Sequence, residues 1–141
     1  MGFEIVKRPV LDVGGLVLPN VEVGAGGRSG GLMEFTRERV LERGVTEIVT
    51  VFTPNSAEGS TAVVGYRCVS TEQLAEGDVM VRVPAGYFAK FTSEGPVDDP
   101  IADVWNQAEV AATEGKIDRA FAEEIEITRA PNAVELYISL A

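Results

Sequence analysis

The sequence predicts an α+β fold: duplicated β-α-β-β units forming a mostly antiparallel sheet, with two helices on one face, which leaves the other face or the seam between the halves free to form a groove. Three observations carry this prediction. Strand-like and helix-like runs follow the order β-α-β-β and then repeat it. Short turn segments at 54–60 and 129–132 join strands as hairpins. The chain has 141 residues, 45% of them hydrophobic, which suits one domain with its own core. Residues 1–141 therefore read as a single domain with pseudo-repeats at about 1–75 and 76–141.

Residues 3–7 and 10–18 read as one strand interrupted at Pro9. The segment "GAGGRSGG", residues 24–31, reads as a glycine-rich lid or connector. It lacks the Gly-Lys-Ser/Thr ending of a phosphate loop and any clean Gly-x-Gly-x-x-Gly. Residues 32–43 predict a helix whose apolar side is Leu32, Phe35 and Val40 with Met33 and Leu41, and Gly44 is its stop. Residues 46–53, "TEIVTVFT", are a strand, "PNSAEGS" is a turn, and 61–70, "TAVVGYRCVS", is the returning strand. A strand over 79–92 bends at Pro84-Ala85-Gly86. Residues 97–114 predict the second helix, with Pro100 in its first turn and Asp98 or Asp99 as cap. Ile101, Val104, Trp105, Ala108 and Ala112 form its apolar face, and Gly115 ends it. Residues 121–128 and 133–140 close the chain as a hairpin across "RAPN".

Composition narrows the chemistry. There is no histidine, and Cys68 is the one cysteine. A Ser-His-Asp or Cys-His hydrolase in its usual form is excluded, as are an internal disulfide and a cysteine metal cluster. Cys68 is expected to be a small apolar strand residue. No metal or cofactor is expected. No apolar run reaches the ~20 residues that span a bilayer. The N-terminus has no signal-peptide pattern, so the expected location is cytoplasmic, with no membrane partner. The net charge is −10, concentrated in residues 94–126. Such a surface repels phosphate backbones, so no direct nucleic-acid partner is expected. The acidic segment serves solubility, or a basic partner.

The final hairpin supplies a constellation. Strand parity puts Glu124, Glu126 and Thr128 opposite Ile125 and Ile127. On the partner strand Glu135, Tyr137 and Ser139 oppose Val134, Leu136, Ile138 and Leu140. With the aliphatic faces packed on helices, a Glu/Tyr face is expected to look toward water or a ligand. A carboxylate beside an aromatic ring suits an organic cation, each good contact being worth about 0.5–2 kcal/mol. The same pattern also describes a plain solvent face.

The segment "VPAGYFAKFTSEGPVDDPIADVWNQ" resembles the central signature of the GyrI-like, or AraC-type effector-binding, domain family. "EEIEITRAPNAVELYISLA" resembles its closing hairpin, "TAVVGYRC" its middle strand, and "FEIVKRPVLDVGGL" its start. The resemblance spans nearly the whole chain, is strongest from Val81 to Ala141 and is weak across 19–45. It implies a ligand cavity between the halves for lipophilic or cationic compounds. It further implies ligand-binding roles for Glu126, Glu135, Tyr137, Tyr87, Phe91 and Trp105. Taken as residues alone, Tyr87, Phe91 and Trp105 fit core as well as pocket wall. Arg67 stands where the family pattern has an acid, and offers a base to a ligand carboxylate or to Glu126.

The function expected from these readings is a stand-alone binding protein for a small hydrophobic or cationic effector, used in sensing or sequestration, as monomer or homodimer. One alternative is a hydrolase of the same fold opening a strained electrophile, with Glu126 or Glu135 as general base. The other is an acidic protein-interaction module.

Overall fold

The computed structural model describes residues 2–21, 30–54, 59–93, 98–129 and 133–141. The elements in order are β1 (Glu4–Arg8), β2 (Leu11–Val21), α1 (Gly30–Leu41), β3 (Glu47–Pro54), β4 (Ser60–Arg67), β5 (Val79–Val83), β6 (Gly86–Thr92), α2 (Pro100–Thr113), β7 (Arg119–Arg129) and β8 (Ala133–Leu140). The expected residues 24–29 of the glycine-rich connector, 55–58 of the first hairpin turn and 130–132 of the second lie outside the described residues.

All strands join one antiparallel sheet in the order β1-β6-β8-β7-β3-β4-β2-β5. The order is symmetric about the β7–β3 seam: β5 and β6 of the second half mirror β1 and β2 of the first. The α+β class with a duplicated plan is thus realised. The proline bends explain why each long strand counts as two. At Pro9 the chain passes from β1, which pairs with β6, to β2, which pairs with β4 and β5. At Pro84-Ala85 it passes from β5, paired with β2, to β6, paired with β1 and β8. Both bends carry a strand from one half to the other.

These links force the sheet to curl. β1 and β2 stand six places apart in strand order, about 29 Å on a flat sheet. The chain from Arg8 to Leu11 reaches at most about 11 Å. The face without helices is therefore closed by the sheet itself. It holds its own apolar layer of Val13, Val49, Val51, Val83, Phe88, Ile125, Ile127 and Tyr137.

The other face carries both helices. Met33 and Val40 from α1, and Val104, Trp105, Ala108 and Ala111 from α2, pack on Ile48, Phe52, Val64, Phe91, Leu136 and Ile138. α2 starts as its sequence dictates: Asp99 accepts a hydrogen bond from the Ala102 amide at 3.1 Å, and Pro100 occupies the first turn.

α1 corrects an expectation. Leu32, Phe35 and Leu41 are exposed, while Met33, Thr36 and Val40 are buried. The burying stripe contains a threonine and, four residues after Met33, Arg37. Of the expected apolar side, Met33 and Val40 are buried as expected and Leu32, Phe35 and Leu41 are not. Cys68 lies just beyond β4 rather than on a strand, but it is buried, with its thiol donating to the Ser70 carbonyl at 3.0 Å.

Candidate functional site

The register of the last hairpin decides which side chains meet. Arg129 pairs with Ala133, so Glu126 stands opposite Leu136, and Ile125 opposite Tyr137. Even-numbered residues of β7 share a face with even-numbered residues of β8. Glu124, Glu126 and Thr128 therefore lie under the helices with Leu136 and Ile138. Tyr137 lies on the opposite, closed face with Ile125 and Ile127. The expected shared Glu126–Tyr137 face is corrected accordingly. A four-residue turn at 129–132 would have placed them together; pairing from Arg129 to Ala133 shifts the register and reverses the faces.

Under the helices the polar groups form a compact set. Glu126 is fully buried. Arg37 of α1 donates from Nη2 to its Oε2 at 2.6 Å and Oε1 at 3.2 Å. Trp105 of α2 donates from Nε1 to Oε1 at 3.2 Å. The central carboxylate thus links β7 to both helices. Two residues along, Glu124 receives Arg119 Nη2 at 2.6 Å and is also buried. Phe52, opposite Glu124 on β3, meets Trp105 edge to face at 5.4 Å. A cleft of about 190 Å³ opens here, lined by Pro54, Ser60, Trp105, Glu109, Arg119, Phe121 and Glu124.

Burial pushes the Glu124 carboxyl above its ordinary range, with Arg119 opposing in part. A raised folded-state value means that the folded chain holds this proton more tightly than the unfolded chain. The stability it contributes is full below the unfolded value of about 4.5 and is lost as pH rises through the folded value. Glu124→Gln is expected to flatten that decline, read from urea unfolding at a series of pH values from acid to neutral. An unchanged slope would show that another group causes it.

The remaining sequence-derived candidates lie elsewhere. Tyr137 donates to Glu135 Oε1 at 2.9 Å, and the Arg8 guanidinium sits 4.2 Å over its ring. Glu135 also meets Arg129 at 3.0 Å. Arg129 shares Glu47, at 3.0 Å, with Arg67, at 2.6 Å. Arg67 therefore pairs with Glu47, and the Glu126 partner is Arg37. Burial pulls the Glu135 carboxyl upward, but the Tyr137 hydroxyl and Arg129 outweigh it and hold it below the usual range. That direction opposes service as a general base. Tyr87 is exposed near the sheet edge, with Lys7 5.9 Å over its ring. Phe91 is core, with its ring 5.3 Å from that of Phe3. Of the named candidates, Glu126 and Trp105 are brought together under the helices, while Glu135 and Tyr137 meet each other away from that set. Arg37, Arg119, Glu124 and Phe121 complete the set. Glu124 shared the parity of Glu126 and was legible in that sense. The arginines carried no local signal, because each meets its partner only through tertiary packing or a strand irregularity.

Comparison with known proteins agrees with this architecture. The family model described as Cass2, integron-associated effector binding protein, matches residues 33–140. No curated protein sequence matches the chain. Among solved structures, the chain is similar to SAV2435 bound to tetraphenylphosphonium, with TM-score 0.76 and 9% identity over 100% of this chain and 94% of that one. It is similar to an integron cassette protein from the mobile metagenome of Vibrio cholerae, with TM-score 0.72 and 21% identity over 100% and 97%. It is also similar to the EcmrR C-terminal domain, with TM-score 0.61 and 8% identity over 100% and 99%. At these identities the likeness is one of fold.

Proposed function

This chain belongs to the Cass2 family of integron-associated effector binding proteins, and from that premise we propose that it binds a hydrophobic organic cation in the cleft between α2 and the end of the β3–β7 seam. The observation that carries the reading is the pair of buried carboxylates, Glu124 and Glu126, set against Trp105. Carboxylates are rarely buried without a purpose or a partner, since desolvation disfavours the charged form. Here one of them lines an open cleft whose other walls include an indole and a phenyl ring. That combination offers a cation both charge and π faces. The structural relative solved with tetraphenylphosphonium supports the same ligand class. Sensing or sequestration of such a compound is the role in which binding alone suffices.

The test is calorimetric titration of the full chain with tetraphenylphosphonium and with the uncharged triphenylphosphine oxide. The cation is expected to bind and the neutral compound to bind less tightly. Glu124→Gln should weaken the cation by about 10–100-fold, because the desolvated charge loses its partner. The neutral compound should hardly change. Equal binding of both compounds, or no response to the substitution, would refute the assignment.

A further inference from the structure

The start of β7 is irregular in a way that the sheet does not require. Arg119 stands opposite Leu140 and Glu124 opposite Ile138, so five steps along β7 are matched by two along β8. The surplus residues are pushed off the ladder. Among them is Phe121, whose φ of 53° is the one positive value at a non-glycine position among the described residues. An aromatic residue in the left-handed region is strained, and such strain collects at ligand sites. Phe121 is 65% exposed and lines the cleft beside Trp105.

Arg119 begins this excursion and folds back to Glu124 at its end, at 2.6 Å. Its guanidinium lies 4.7 Å over the Phe121 ring. The charge on the carboxylate and the π face of the cleft are therefore both occupied by a group of the protein itself. The occupancy is imperfect: Arg119 Nε is buried with no acceptor among the described residues. An unmet buried donor costs free energy that an exchanged partner does not have to bear. Glu126 differs, because Trp105 Nε1 and Arg37 both bind it and it does not line the cleft.

We propose that Arg119 is a captive competitor for the ligand: a compact aromatic cation enters by taking its place on Glu124 and Phe121, so the cleft selects against neutral molecules. This rests on the reading of the cleft as a cation site. A neutral molecule has nothing to offer Glu124 in exchange for the guanidinium. An anion meets Glu109 and Glu124 on the walls. A cation restores the carboxylate's partner and lets Arg119 turn outward with the strained segment, where its Nε is hydrated. Arg119 then sets specificity without belonging to the ligand's contacts.

The probes are benzyltrimethylammonium and its uncharged isostere neopentylbenzene, titrated into the full chain and followed by the fluorescence of Trp105, the single tryptophan. The wild-type chain is expected to bind the cation and not the isostere. Arg119→Gln should bind the cation about tenfold more tightly, with its competitor gone. Arg119→Lys, which retains a cation at that position, should stay near wild type. A second measurement needs no variant: the Arg119 Nε–H resonance should shift and exchange faster with solvent when the wild type is saturated with the cation. Weaker cation binding by a folded Arg119→Gln overturns the proposal but leaves cation binding intact. So does an unmoved Nε–H signal at saturation. Absence of cation binding in the wild type and in folded variants overturns both the proposal and the cation-site reading beneath it.

Discussion

Gly65→Ala is expected to prevent the native sheet from forming, or to cost at least about 4 kcal/mol, in the range reserved for severe core defects. In β4 Gly65 lies opposite Gly15 of β2. A Cβ at Gly65 would fall on the carbonyl oxygen of Gly14 and lie 2.7 Å from both the Gly14 carbonyl carbon and the Gly15 Cα. These are backbone atoms of a paired strand, so no side-chain rotation relieves the overlap. β2 would have to leave β4, and β5 pairs only with β2 among the described strands. Two strands would be lost with one methyl group. The control is Gly86→Ala, where a Cβ meets nothing within 4 Å. It should change stability by no more than about 0.5 kcal/mol. Urea unfolding followed by far-ultraviolet circular dichroism measures both. A Gly65→Ala chain of ordinary stability would mean that β2 and β4 do not approach this closely.

Arg37→Met is expected to cost about 3–5 kcal/mol at neutral pH, because it leaves a fully buried carboxylate with one neutral donor. Glu126 has no exposure, and Arg37 supplies both of its charge-assisted contacts. The same pair anchors α1. That helix otherwise buries Met33, Thr36 and Val40 and turns Leu32, Phe35 and Leu41 outward, so its hydrophobic attachment is thin. Adding Glu126→Gln to Arg37→Met removes the stranded charge while keeping an acceptor for Trp105. Most of the lost stability should return. A double-mutant cycle by urea unfolding reads the coupling, which should reach about 2–3 kcal/mol. Additive losses would show that the two side chains do not act as a pair.

The element order, the two helix positions, the proline bends and the duplicated plan were legible in the chain because each depends on local chemistry. Pro9 and Pro84 interrupt strands wherever they stand, and Asp99-Pro100 starts a helix by satisfying its first amides. The alternation that separates Glu124 and Glu126 from Ile125 and Ile127 is likewise a property of any strand. Which of these faces meets the helices was decided by register. A hairpin connection one residue shorter than expected reversed the β8 faces relative to β7, sending Glu126 under the helices and Tyr137 to the closed side. The buried face of α1 was decided by a charge 89 residues away: Arg37 turns inward because Glu126 is there to receive it. The assembly of Glu124, Arg119 and Phe121 required a strand to leave its ladder. Local sequence determines the elements through short-range sterics and hydrogen bonding. The site is decided by tertiary structure, because a buried charge has a tolerable orientation only where a distant partner completes it.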